Sequence, residues 1–165
     1  RDSGDDLLTV PGSLGALDFH LAYTHVFSGY VIPLPGAARD VFAGEVGTSK
    51  DRATGTLNWT KNAFGLTLTG TCIGPAYLDD TFFGISQSDP DAKDIRVSSR
   101  FYMDAQARFQ AGAHFEFFVG ADNLLNTNPP PIMEGLPGES PGVETDASTY
   151  DAIGRRFYAG ARMKF

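Results

Sequence analysis

Apolar and polar side chains alternate in six segments of this chain, and this two-residue period constrains the fold more than any other feature. In residues 17–27, the odd positions carry mostly apolar side chains and the even positions mostly polar ones. Because successive strand residues point to opposite faces of a sheet, this period predicts β-strands and argues against helices. We expect an all-β antiparallel fold with strands near residues 15–31, 52–61, 64–78, 98–110, 113–122 and 153–165.

The length of these segments and the character of their two faces help to distinguish a soluble β-sandwich from a membrane β-barrel. Each segment has about ten residues or slightly more, which is the length that a tilted strand needs to cross a bilayer. One face is apolar with aromatic residues toward its ends, and the other is polar with few large aliphatic residues. A soluble sandwich buries two apolar faces against each other, whereas a membrane barrel turns its apolar face to lipid and its polar face to a wet interior.

The connections between the predicted strands alternate between tight turns and long polar loops. Residues 61–63 and 110–113 form the tight turns, and the long loops lie near residues 33–51, 79–97 and 123–152. In a compact soluble domain, loops well beyond about 12–15 residues without secondary structure are uncommon. Short turns on one side and long loops on the other are typical of outer-membrane barrels.

Composition excludes several classes of function. The net charge of −7 argues against nucleic acid as a partner, because its phosphates require clustered Lys and Arg. The single Cys72 excludes an internal disulfide framework and a multi-cysteine metal site. No stretch has the roughly 20 consecutive apolar residues of a transmembrane helix. Since the sequence starts at Arg1 without Met or a signal peptide, we expect a processed product or part of a longer protein.

The most specific pattern lies at the end of the chain. The segment GADNLLN at residues 120–126 is followed by Pro129 and Pro130, then by YDAIGRRFY at residues 150–158 and an alternating strand that ends in Phe165. This order resembles the C-terminal end of TonB-dependent outer-membrane receptors. Their Gly-x-x-Asn-Leu-(Phe/Leu)-Asn motif precedes a loop with prolines, a Tyr-Asp-x-x-Gly-Arg-x-(Phe/Tyr) stretch and a closing strand with a terminal Phe. The matching motif residues are Gly120, Asn123, Leu124, Asn126, Tyr150, Gly154 and Arg155.

The resemblance covers about residues 15–165 and implies a transmembrane antiparallel β-barrel. The family has a 22-stranded barrel plugged by an N-terminal domain, and this chain would supply about its last six strands. Residues 1–14 would be a periplasmic or irregular lead-in, and residues 15–165 the C-terminal barrel segment. Six strands are too few to close alone, because natural single-chain barrels have at least about eight.

What the resemblance implies about function is active transport into a Gram-negative cell. The family imports scarce nutrients such as siderophore-bound iron, haem, cobalamin or oligosaccharides, with energy supplied through TonB. The C-terminus would be periplasmic and the long loops extracellular. Expected partners are the remaining barrel and plug, on the same or a separate polypeptide, the TonB complex through the plug's N-terminal box, outer-membrane lipid and lipopolysaccharide. The barrel-assembly machinery would read a signal formed by Phe157, Tyr158 and Phe165, since an unpaired last strand is open to pairing.

No residue pattern indicates catalysis, a metal ligand set or a cofactor, so we expect no enzyme. The acidic residues of the second long loop lack the EF-hand order and indicate a solvated loop rather than a Ca²⁺ site. His20, His25 and His114 lack metal-ligand spacing and are expected to line the pore or the interface. Cys72 has no His base nearby in sequence, and no Gly-x-Ser-x-Gly elbow occurs. The ligand-binding residues are not indicated.

The charged residues of the strands are expected to face the interior, because charge on the lipid face costs about 2–4 kcal/mol at the bilayer midplane. We expect His114 and Glu116 to pair there, and Arg155 and Arg156 to lie near the outer rim, where they would contact ligand or lipopolysaccharide phosphates. Two other functions stay open: a small oligomeric outer-membrane pore without energy coupling, and a soluble β-sandwich binding module.

Overall fold

The structure is a computed structural model that describes residues 14–133 and 144–165. The expected lead-in at residues 1–14 therefore lies almost entirely outside the described residues, as does the part of the third long loop at residues 134–143. The strands are β1 Ala16–His25, β2 Asp51–Lys61, β3 Phe64–Ile73, β4 Ala76–Tyr77, β5 Arg96–Val97, β6 Arg100–Ala111, β7 Phe115–Asp122 and β8 Arg156–Met163.

Six of these strands form one antiparallel sheet in the order β1-β2-β3-β6-β7-β8, so the chain is all-β as expected. The sheet is a single layer and is not closed, since β1 and β8 each pair on one side only among the described residues. β4 and β5 form a separate two-stranded ribbon at the end of the sheet where the long loops lie.

Two turns connect the hairpins tightly. Lys61 pairs with Phe64 across a two-residue turn, in which Asn62 takes the left-handed conformation at φ 53°. Asparagine tolerates this conformation better than most residues because its short polar side chain can bond locally. Ala111 pairs with Phe115 across a slightly longer turn, in which Gly112 has φ 70°.

Three strands are much shorter than the alternation predicts, and β6 and β7 are slightly shorter. β1 ends at His25 rather than near residue 31, because its neighbour β2 begins at Asp51 and Val31 pairs with Asp40 inside the loop instead. β3 ends at Ile73 rather than near residue 78, where Gly74 and Pro75 follow; proline offers no N–H to a ladder. β8 begins at Arg156 rather than residue 153, after Gly154 at φ 84°.

The pairing register staggers the strands along the sheet. One continuous line of paired residues crosses the sheet through Leu17, Trp59, Leu66, Ala107, Val119 and Ala159. This line meets β2 close to its tight turn but meets β8 near its middle. The β6–β7 hairpin is therefore displaced along the strands relative to the β2–β3 hairpin.

The long loops have more structure than the sequence predicts. The second contains a short α-helix, α1 Asp80–Phe83, and a 3-10 helix at Pro90–Ile95. Asp79 caps α1 by accepting a hydrogen bond of 2.7 Å from the Phe82 amide, and Pro90 suits the first turn of a helix. No helix among the described residues is long and apolar enough to cross a membrane.

The hydrophobic core lies at the long-loop end and not along the sheet. It joins residues from the ends of the strands, the ribbon and the third loop: Ile73, Ala76, Val97, Tyr102, Ile132 and Tyr150. Val46 and Leu78 pack against it from the first two loops. The core thus fastens all three loops to one end of the sheet.

Candidate functional site

One face of the sheet is apolar and exposed along its whole width. Representative side chains are Leu21, Val119 and Phe157, which are 66%, 57% and 74% exposed. These residues lie on β1, β7 and β8, and Leu66 and Phe101 continue the surface across β3 and β6. No second layer of described residues covers this face. Soluble monomers rarely expose apolar surface this continuous.

Most aromatic residues of the apolar face lie near its two ends, while Phe19 and Phe117 lie farther in, opposite Leu57 and Ala161. The aromatic residues at the tight-turn end are Trp59, Phe64, Phe109 and Phe115. Those at the long-loop end are Tyr23, Phe101 and Phe157. The rings of Phe64 and Phe109 contact each other at 4.9 Å between centroids, as expected for directly paired residues. Cys72 is exposed on this face.

The opposite face carries cross-strand polar contacts. Asn58 donates to Asp18 at 3.3 Å and accepts from Thr67 at 2.8 Å, so three strands are linked. Gln106 donates to the Tyr158 hydroxyl at 3.2 Å. Two arginine–carboxylate pairs lie on this face: Arg162 with Glu116 at 3.2 Å and Arg156 with Asp122 at 3.4 Å.

The expected pair of His114 and Glu116 does not form. His114 lies in the turn before β7, and its Nδ1 is 3.0 Å from the carbonyl oxygen of Lys164. Glu116 pairs with Arg162 because the β7–β8 register places these two residues directly opposite each other. The other two histidines lie on opposite faces of β1: His20 contacts Asp18 at 3.0 Å, and His25 contacts Asp51 at 2.6 Å.

The structure brings most of the C-terminal motif residues together around Asn123. Asn123 is 2% exposed and takes the left-handed conformation at φ 49°. Its amide nitrogen donates at 3.0 Å to both the Thr127 carbonyl and the Asp151 carboxylate, and its oxygen accepts from the Thr127 N–H at 2.8 Å. The Asn123 backbone N–H also donates to Asp104 at 2.8 Å. One side chain therefore closes its own turn and binds the segment that leads into β8.

Asn126 makes the second connection between the two motif segments. Its side-chain oxygen accepts a hydrogen bond of 3.2 Å from the Arg155 backbone N–H. Asp151 accepts from the backbone N–H groups of Ile153 at 3.0 Å and Gly154 at 3.3 Å. We call the set of Asn123, Asn126, Asp151, Gly154 and Arg155 the motif cluster.

The remaining motif residues adjoin this cluster. The Leu124 N–H donates to the Met103 carbonyl at 2.6 Å, which attaches the turn to β6. A Cβ added at Gly120 would overlap the ring of Tyr158, so this position allows the ring to lie on the sheet. Tyr150 is 3% exposed in the core, and burial raises its pKa to about 12.

The sequence predicts no role for Asp151, yet its carboxylate joins this cluster. Burial alone would raise the pKa of its carboxyl, but hydrogen bonds from the Ile153 backbone, the Asn123 amide and the Gly154 backbone hold the pKa below its ordinary value. Its position between Tyr150 and Gly154 in the motif was the available signal. Asp104 was expected to face the interior, and its role in binding Asn123 depends on the fold.

The three residues of the expected assembly signal do not share a face. Phe157 is exposed on the apolar face, and Phe165 at the chain end is fully exposed. Tyr158 lies on the opposite face over Gly120, with its ring 6.5 Å from that of Phe118. The available contact surface for a partner strand is therefore the outer edge of β8 and these two phenylalanines.

An acidic cluster joins the first and second long loops. Ligand oxygens of Asp40, Glu45 and Asp80 lie within 4.8 Å of one another, and Glu45 accepts from the Asp80 N–H at 3.0 Å. Burial and the neighbouring carboxylates of Asp79, Asp80 and Asp40 raise the pKa of Glu45 to about 7, although the Asp80 N–H opposes this shift. No basic side chain forms an ion pair with the cluster among the described residues.

Comparison with known proteins found no matching family model, no matching curated protein and no matching solved structure. Functional inference therefore depends on the two faces of the sheet and on the motif cluster.

Proposed function

We propose that this chain forms six neighbouring strands in the wall of an outer-membrane β-barrel, as part of a TonB-dependent receptor that imports a scarce nutrient. The observation that carries the proposal is the single-layer sheet with an exposed apolar face and a hydrogen-bonded polar face. Lipid is the solvent that such an apolar face requires, and a wet interior suits the polar contacts on the other side.

The residues at the two ends of the apolar face support the proposal that this face lies in a membrane. Most of its aromatic residues lie near the two ends, which is where aromatic girdles meet the two membrane interfaces. At the long-loop end, the face gives way to Tyr23, His25 and Asp51, whose polar groups form hydrogen bonds of 2.5 and 2.6 Å. Such groups are suited to the interface rather than to the hydrocarbon.

The stagger of the strands is consistent with part of a barrel. Closure of a sheet requires tilted strands and a register that shifts steadily from one strand to the next. The displacement of the β6–β7 hairpin relative to the β2–β3 hairpin is a shift of this kind. The free outer edges of β1 and β8 would then pair with the remaining strands of the receptor, since exposed edges invite pairing.

The motif cluster supports the choice of family. The two motif segments that resemble TonB-dependent receptors are separated by the third long loop, yet they meet through Asn123, Asn126 and Asp151. These contacts give a physical reason for the order of the two motif segments, because they fix the position at which the loop enters the last strand. In this proposal the chain contributes wall and loops, not catalysis.

An oligomeric pore built from several copies is the second candidate, because the open edges of the sheet would also suit copies of the same chain. Intact and peptide mass spectrometry of the detergent-purified protein separates the two. A receptor contains a companion segment with a plug and further strands, on the same or an associated polypeptide. A pore contains only repeated copies of this chain.

A pair of arginine substitutions on β3 tests the membrane environment. Leu68→Arg places charge near the middle of the apolar face and should lower the stability of the membrane-inserted protein by about 2–4 kcal/mol. Thr69→Arg is the matched control on the polar face and should cost much less. The measurements are recovery in the outer-membrane fraction and heat-modifiable migration on gels. Equal recovery of both variants would contradict a buried or lipid-facing Leu68, and folding of the unchanged protein without detergent would favour a soluble sandwich.

A further inference from the structure

A groove of about 580 Å³ crosses the apolar face between β3 and β8. Its floor and walls include Leu66, Ala105, Ala107, Val119, Phe157 and Ala159. The register explains its shape: Ala107 pairs with Val119 and Val119 with Ala159, while Ala105 and Phe157 both pair with Ala121. Small side chains on neighbouring strands leave a depression, which the larger Leu66 and Phe157 border.

The positively charged side chain of Arg155 lies next to one wall of this groove. The Arg155 guanidinium carbon lies 5.7 Å from the centroid of the Phe157 ring, within the range of a cation–π contact. Arg155 directly precedes β8 at the long-loop end, and its backbone N–H is held by Asn126 at 3.2 Å. The motif cluster therefore positions this side chain at the end of the groove.

Arg155 differs from its neighbour in how its charge is balanced. Arg156 lies on the polar side and pairs with Asp122 at 3.4 Å and Asp151 at 3.5 Å. Arg155 makes no ion pair with a described carboxylate, and apart from its contact with the Phe157 ring its guanidinium makes one hydrogen bond among the described residues, to the Leu124 carbonyl at 3.4 Å. Most donors of the guanidinium are thus available to an anion.

We propose that this groove and Arg155 bind one phosphate-bearing membrane lipid, with an acyl chain in the groove and the phosphate at the guanidinium. The inference rests on the proposed function, because it places the apolar face in a membrane. The arrangement matches an amphiphile: the apolar lining suits a hydrocarbon chain, and arginine binds phosphate through paired hydrogen bonds. The lipid would brace β8 against β6 and β7, the strands that line the groove with it.

Native mass spectrometry of the detergent-purified protein, with all polypeptides that accompany it, tests this site. The probes are a phosphatidic acid and the diacylglycerol with the same chains, which lacks the phosphate. We expect stoichiometric retention of phosphatidic acid and at least about tenfold weaker retention of diacylglycerol, since a hydrogen bond to a charged group accounts for a difference of this size.

Three variants locate the binding. Arg155→Gln should weaken phosphatidic acid retention about tenfold and leave diacylglycerol unchanged. Ala159→Trp should fill the groove and remove retention of both lipids. Ala53→Trp, on the apolar face outside the groove, is the control and should retain both as the unchanged protein does. Heat-modifiable migration identifies variants that are folded.

Two results would overturn the proposal. Equal retention of the two lipids, or retention unaffected by Arg155→Gln and Ala159→Trp in folded protein, shows unspecific lipid around the apolar face. In that case the protein still depends on detergent, and the transport proposal stands. A protein that is folded and monodisperse without detergent contradicts both proposals, so the two failures are distinguishable.

Discussion

At the scale of single residues, Asn123 contributes most to the geometry of the long-loop end. Its side chain is buried, and every polar atom of it is used in contacts with Thr127 and Asp151. When one member of a buried hydrogen bond is removed, the loss of folding free energy exceeds the net contribution of the bond. The remaining group stays buried with neither a protein partner nor water. Asparagine also suits the left-handed backbone conformation at this position.

Asn123→Ala should therefore lower the free energy of unfolding by about 2 kcal/mol or more, since it leaves the Asp151 carboxylate and the Thr127 N–H without this partner. Urea unfolding of the protein in detergent or vesicles measures the change. Asn128→Ala is the control nearby, because Asn128 is exposed and only its backbone carbonyl takes part in a described hydrogen bond, from Arg100. Equal stability of the two variants would show that the motif cluster does not hold the loop.

At the scale of elements, the long loops are joined to each other as well as to the sheet. Val46 donates to the Tyr77 carbonyl at 2.8 Å, and Tyr77 donates to the Gly44 carbonyl at 2.9 Å. The acidic cluster sits beside these bonds, where Glu45 receives the first N–H of α1. Backbone pairing therefore brings together carboxylates from two loops that repel each other when ionised.

The stability of this junction should depend on pH. The pKa of Glu45 rises from 4.5 to about 7 in the folded protein, so between these values the folded state keeps a proton that the unfolded chain has released. Stability contributed by Glu45 should thus be complete below about pH 4.5 and lost as pH rises toward and through 7. Thermal unfolding midpoints from pH 5 to 8 measure this, and Glu45→Gln should reduce the slope.

Glu144→Gln is the matched control for this pH dependence. Glu144 is exposed in the third loop and lies outside the acidic cluster. The control should leave the slope as it is in the unchanged protein. A slope that is the same in both variants would mean that other groups set the pH dependence of unfolding.

At the scale of the whole molecule, the sheet is stabilised by its ladders and by a core at one end only. The described residues provide no layer over the apolar face and no strand beyond β1 or β8. The apolar face of such a sheet requires lipid or another apolar partner, because exposed apolar surface is unfavourable in water. Both edges require further strands or another cover, because their backbone groups are unpaired.

Amide hydrogen exchange shows whether the outer edges of β1 and β8 are paired with further strands in the native assembly. In the barrel that we propose, backbone N–H groups on the outer edges of β1 and β8 should be protected, because neighbouring strands would accept their hydrogen bonds. Central strand β3 serves as the internal control, since it pairs on both sides within this sheet. Rapid exchange at both outer edges, with β3 protected, would contradict closure of this sheet into a larger barrel.

The sequence alone determined which side chains share a face, because a strand has a two-residue period whatever surrounds it. For the same reason the tight turn at Asn62 and the six strands were predictable from local pattern. The strand bounds were less predictable: β1 ends at His25 because β2, which runs antiparallel to it, begins opposite at Asp51, and only the pairing of the two strands shows this.

Which distant residues meet depends on how the chain folds as a whole. Glu116 pairs with Arg162 rather than with His114 because of the β7–β8 register. Asn123 reaches Asp151, and Asp40, Glu45 and Asp80 converge, because three loops fold onto one end of the sheet. Such contacts depend on strand register and loop packing, which join residues far apart in the chain and leave no local period in the sequence.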